Sequence, residues 1–101
     1  MTMRDIREYM SDEINGATVY IHKAINLKPM AKDWADKLVK MSANELEHAE
    51  YLMDMAKDYY KQMEEAYPIV PKNIQDEYDC IKHTYKDGKA HVLEMHEWYK
   101  G

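Results

Sequence analysis

Glu45 and His48 stand three residues apart in ANELEHAEYL, residues 43–52, and Glu13 stands in DEINGATVY, residues 12–20. On a helix, a carboxylate and an imidazole at that spacing share one face, one turn apart. A second carboxylate brought to the same level would place two like charges opposite each other away from water. That arrangement persists only with a proton or a cation between them. Two carboxylates and a Glu-x-x-His unit suit a redox-active metal in octahedral coordination, iron or manganese first. Calcium prefers oxygen ligands alone, and structural zinc more often recruits thiolates.

Such chemistry requires helices that bring the three side chains together. Met3, Ile6, Met10, Ala17, Tyr20, Ala24 and Leu27 recur at helical spacing, and the gap in that stripe is Glu13. After Lys28-Pro29 the pattern resumes as Ala31, Trp34, Leu38, Met41, then Glu45 and His48, then Leu52, Met55, Tyr59 and Met63. YPIVP, with Pro68 and Pro71, ends this run near Ala66. A third run carries Ile74, Tyr78, Ile81, Tyr85, Val92, Met95 and Tyr99, with Gly88 marking close packing or a bend. The periodicity predicts helices over about 4–27, 30–66 and 72–99 in a single all-α domain spanning 1–101, with Pro29 in the first turn of the second. If the chain reverses tightly at Pro29, Glu13 and Glu45, each sixteen residues from it, reach the same height on antiparallel helices.

Composition narrows the function classes. The formal charge of −5 argues against a general nucleic-acid or anionic-membrane surface and is compatible with cation binding. The single cysteine, Cys80, excludes an intramolecular disulfide and a multi-thiolate zinc site; it is expected to be a buried small hydrophobe. MTMRDIREYM lacks the apolar segment of a signal peptide and no stretch is apolar enough to span a membrane, so a cytoplasmic location is expected. At 101 residues a chain of long helices buries roughly two thirds of its unfolded surface, which makes partner chains an open question. Tyr59, Tyr60, Tyr67, Trp98 and Tyr99 provide amphipathic aromatic surface suited to subunit contacts. Nine methionines and no phenylalanine are read as adaptable core filling.

With Glu13, Tyr20, Glu45 and His48 in hand, residues 6–60 resemble the first helix pair of the ferritin-like superfamily, which includes ferritins, bacterioferritins, rubrerythrins and two-helix encapsulated ferritins. Glu13 and Tyr20 match the ligating glutamate of the first helix and the tyrosine seven residues later. Glu45 and His48 match the second-helix unit, and Ala49 also looks like the family. The resemblance implies a di-iron (Fe) site with Glu45 bridging and Glu13 and His48 as terminal ligands, Tyr20 serving as a hydrogen-bond partner or electron donor. It implies ferroxidase activity, oxidising Fe(II) with O2 or peroxide for iron storage or detoxification.

A ferritin-like domain has four helices, whereas three are expected here. His91 and Glu94 do not match the family's third-helix glutamate and are read as an interhelical histidine and a flank residue. Pairing of two chains about a twofold axis would complete a four-helix bundle and gather two copies of Glu13, Glu45 and His48, as in a homodimer or higher homo-oligomer. The cargo tail of encapsulated ferritins is not recognisable in HEWYKG. Two other functions fit the same residues less fully: a non-enzymatic oligomeric helical adaptor, and a di-iron or di-manganese peroxidase or oxygenase.

Overall fold

Thr2 starts the first helix. Its hydroxyl accepts from the Asp5 backbone N–H at 3.2 Å and the Asp5 carboxylate accepts from the Thr2 N–H at 2.9 Å, a reciprocal cap that satisfies two otherwise orphaned donors. The computed structural model describes residues 1–101 and contains three helices: α1 Met3–Leu27, α2 Lys32–Ala66 and α3 Lys72–Lys100. The all-helical expectation holds, with no strand. Pro29 lies in the turn between α1 and α2, because α2 begins only at Lys32, three residues past the proline. Tyr67 is extended just before Pro68, and Pro71 immediately precedes α3, so the prolines bracket the second break as expected.

Cross-helix contacts fix the directions of the helices. Glu13 meets His48, Ala17 meets Ser42, and Lys28 lies at the Tyr99 end beside Asp36, so α2 runs antiparallel to α1. Tyr60 stacks on Tyr78 at 4.4 Å, Glu50 binds Lys89 at 3.1 Å, and Ser42 meets His96, so α3 runs antiparallel to α2. Arg7 pairs with Glu77, and His22 meets His91, which makes α3 parallel to α1. The bundle is therefore up-down-up, with α1 packed extensively on both partners and α2 and α3 touching less. It measures 57 × 19 × 15 Å, and its 16.2 Å radius of gyration exceeds the roughly 13 Å of a rounded domain of this length.

Buried residues on α1 are Met3, Ile6, Met10, Ile14, Ala17, Ile21 and Ala24. Those of α2 are Ala35, Ser42, Leu46, Ala49, Met53 and Ala56, one position beyond most of the stripe read from the sequence. The correction has a physical cause. Ala35, Ser42, Ala49 and Ala56 recur every seven residues, and small side chains in a row let two helix backbones approach closely. Leu38, Glu45, Leu52 and Tyr59, also seven apart, flank that seam and are half-buried. Trp34, Met41, His48 and Met55 form the next row out; Trp34 remains 67% exposed, Met41 42% and Met55 41%.

Between α1 and α3 the packing is close at Gly88. A Cβ at Gly88 would stand 2.4 Å from Ile14 Cγ2, so Gly88 marks close packing and leaves no bend. Cys80, expected inside, is exposed; it follows Asp79 and stands one residue before the buried Ile81, on the solvent side of the stripe. The open end of the bundle is tied by Tyr99, whose hydroxyl donates to Asp36 and whose backbone carbonyl accepts from the Lys28 ammonium. Burial, reinforced by that bond to Asp36, pushes the Tyr99 phenol up to about 12, and the same hydrogen bond holds the Asp36 carboxyl below its usual range.

Candidate metal centre

Three of the four residues singled out by sequence come together. Donor atoms of Glu13, Glu45 and His48 all lie within 4.8 Å of one another. Glu13 comes from the middle of α1, and Glu45 and His48 come from successive turns of α2, so the antiparallel pairing of two helices assembles the group. His48 Nδ1 is 3.3 Å from Glu13 Oε2, and the glutamate side chain is 25% exposed against 54% for the histidine. The cluster is thus a shallow groove site, floored by glutamates and rimmed by imidazole.

Gly16 makes room for this geometry. A Cβ on Gly16 would lie 3.0 Å from Glu45 Oε2, so the absent side chain lets the carboxylate fold down onto the α1 backbone, one turn beyond Glu13. The Glu45 carboxyl is pushed up from 4.5 to about 7. Hydrogen bonding to Glu13 is the main cause; desolvation and the Glu13 charge act in the same direction, and His48 opposes them. The neighbouring acid thus favours the protonated form of Glu45, as expected of close carboxylates with no cation between them.

The donor set fits a transition metal. With bonds of about 2.1 Å, ligand atoms on an octahedral ion stand about 3 Å apart when adjacent and about 4.2 Å apart when opposite. The 3.3 Å His48–Glu13 separation lies between these, and the 4.8 Å span of the whole group leaves a small closure for a single ion or room for carboxylate bridging. One neutral nitrogen with two carboxylates favours iron, manganese or zinc over calcium. A single chain supplies three donors here, fewer than one octahedral ion requires and far fewer than two.

Tyr20 is half-buried on α1 and makes no hydrogen bond to Glu13, Glu45 or His48. Glu94 is exposed and stands apart from the group. His91, read as an interhelical histidine, meets His22 with 3.0 Å between their Nε2 atoms. His22 was not legible as its partner, since the two are 69 residues apart and His22 is off every apolar stripe. Ser42 and His96 were also missed. They do not form an activated nucleophile: Ser42 is fully buried, its hydroxyl donates to Ala17 O at 2.8 Å, and it accepts from His96 Nε2 at 3.0 Å. Burial lowers the His96 pKa, in keeping with a neutral imidazole serving as donor.

No helix is long and apolar enough to cross a membrane. Comparison of the chain with protein-family models, curated proteins and solved structures yields no match.

Proposed function

We propose that this protein binds iron at Glu13, Glu45 and His48 and acts as a ferroxidase, the site being completed by a second copy of the chain. The observation that carries the reading is the convergence of the donor atoms of these three side chains within 4.8 Å, which places two acids and an imidazole around one point. Fe(II) is the substrate, and O2 or peroxide takes its electrons. Glu45, which packs over Gly16, would be the carboxylate shared between ions. Glu13 and His48 would each bind one. A bound dication would displace the proton that Glu45 favours, because it satisfies both carboxylates more strongly than a proton does.

The surface around the group supports a paired assembly. The row Trp34, Met41, His48 and Met55 runs along the open side of α2, and Tyr9 and Val19 are exposed on α1, 51% and 43% respectively. Trp34, Met41 and Met55 thus leave large apolar side chains in water on the face that carries His48, a composition that suits a protein contact. A second copy facing this side would bury the row and bring two sets of ligands together, giving four carboxylates and two imidazoles in a four-helix bundle.

Anaerobic titration with Fe(II), followed by air and near-ultraviolet absorbance, tests the chemistry. Uptake of about two irons per pair of chains with oxidation faster than in protein-free buffer is expected. Failure to take up iron overturns the reading, and turnover that requires an organic reductant or oxygen acceptor would move it to a peroxidase or oxygenase. Sedimentation across pH tests the assembly. The metal-free dimer should be favoured at mildly acidic pH, where the acids are protonated, and iron should reduce the difference. A monomer under every condition removes the shared site.

A further inference from the structure

His22 and His91 face each other across the α1/α3 seam, far from the acidic group. His22 is nine residues beyond Glu13, which is about 13 Å along the helix and half a turn around it. Their Nε2 atoms are 3.0 Å apart, the ring centroids 5.3 Å, and the ring planes are tilted by 42°. Without a metal, one Nε2–H donates to the lone pair of the other ring. Both imidazoles are exposed, so either can swivel at little cost.

Two imidazole nitrogens bound in adjacent positions to one ion, with bonds of about 2.0–2.1 Å, lie about 3 Å apart at a right angle and about 3.4 Å apart at a tetrahedral angle. The seam already holds them at that separation. Binding through both Nε2 atoms requires both rings to carry their hydrogen on Nδ1.

The third donor identifies the metal. Only the Glu13 group gathers three acidic, histidine or cysteine side chains, so the histidine pair has no such third ligand. What lines the adjoining groove is His22, Ile25, Asn26, Met95 and Trp98, around a volume of about 250 Å³. Met95 lies one turn beyond His91 on α3, as Asn26 lies one turn beyond His22 on α1, so the thioether shares the face that carries the imidazole. Two imidazoles and a thioether are a poor set for magnesium or hydrated ferrous iron and a good one for copper, which stands at the top of the affinity order and as Cu(I) binds thioether sulfur well. We propose that His22, His91 and Met95 form a second metal site, which takes copper. The indole of Trp98 in the same groove provides an optical reporter.

The test uses the whole chain carrying Glu45→Ala and His48→Ala, which silences the acidic group, and it does not depend on the iron reading. Cu(II) is titrated directly, and Cu(I) is titrated against a chromogenic chelator under reductant, with tryptophan fluorescence recorded in a Trp34→Phe version. One copper per chain is expected, with quenching of the Trp98 signal. His22→Ala or His91→Ala should weaken binding at least about tenfold, the order of loss that even a supporting residue of a metal site produces. His22→Gln, which keeps a hydrogen-bonding side chain in the seam, should do the same. Met95→Leu should weaken Cu(I) about tenfold and Cu(II) by less, since the softer ion relies more on sulfur. Parent-like affinity in both histidine variants overturns the site, and parent-like Cu(I) affinity in Met95→Leu overturns the role of the thioether.

Discussion

Two helical glycines, Gly16 and Gly88, show how differently the two seams of α1 are built. Both have ordinary negative φ angles, so neither is required by the backbone. On the α3 side, Gly88 admits the Ile14 side chain, whose β-branched methyl would be 2.4 Å from an added Cβ. On the α2 side, Gly16 admits the Glu45 carboxylate, 3.0 Å from an added Cβ. The first glycine closes an apolar contact and contributes to stability. The second shelters a charge and serves the groove. A carboxylate at the end of a flexible side chain can yield, whereas a branched methyl fixed to the core cannot.

The largest expected effect comes from removing the group that the open seam was shaped around. Glu45→Ala should lower iron affinity at least about tenfold and slow oxidation correspondingly, while the melting temperature in chelator stays level or rises, because alanine is the better helix former and a forced carboxylate pair is gone. Glu47 is exposed and only accepts from Tyr51, so Glu47→Ala is the control and should shift stability by no more than about 0.5 kcal/mol. If Glu47→Ala abolished iron oxidation and Glu45→Ala spared it, the inward face would be misassigned.

Gly88→Ala comes next. Overpacking costs about 1–3 kcal/mol, and the gain in helix propensity returns about 0.5–1 kcal/mol. The net loss, up to about 2.5 kcal/mol, should appear as a lower melting temperature in calorimetry. Gly16→Ala should act with the opposite sign. Glu45 can move aside, so helix propensity dominates and the metal-free protein should gain about 0.5–1 kcal/mol, while iron binding weakens severalfold as the carboxylate is displaced. Equal destabilisation by the two alanines would end the distinction between the seams.

The smallest effect is the pH dependence of the metal-free chain. Glu45 binds its proton more tightly folded than unfolded, with its pKa raised from 4.5 to about 7. The folded state therefore holds the extra proton between those values, and stability falls as pH rises through that window. Below 4.5 the penalty is absent; above about 7 it is complete. Burial of His96 acts in the opposite sense, so the readout is the difference between proteins: the melting temperature in chelator should fall more, or rise less, from pH 5 to pH 8 in the parent than in Glu45→Ala. Identical pH profiles in the two would contradict the raised Glu45 pKa.

Much of this arrangement was legible in the sequence, and the exceptions share a cause. The three helices, the reversal after Leu27 and the stop at Ala66 follow from prolines and periodicity alone. Glu13, Glu45 and His48 stand together because a short turn makes height on two helices a matter of counting. Counting large apolar residues misplaced the α2 core by one position, since Trp34, Met41 and Met55 attract notice while Ala35, Ser42, Ala49 and Ala56 carry the contact. Side chains at the closest approach of two helices are small because the space is small. His22 with His91, and Ser42 with His96, depend on how α3 returns beside α1 and α2, and no local signal in any of these segments encodes those meetings.

The length of the bundle provides an independent ruler. Its 57 Å long axis is set almost wholly by the helices, and its two short axes are 19 and 15 Å. Copies that associate side by side thicken the particle and leave its longest interatomic vector nearly unchanged; copies joined end to end would roughly double it. The pair-distance distribution from X-ray scattering thus reports the direction of growth directly, whatever metal is bound and however tight the association. A maximum dimension that stays near the length of one helix bundle while the scattering mass doubles is the signature of chains meeting side by side, the direction that pairing over Glu13 and Glu45 requires.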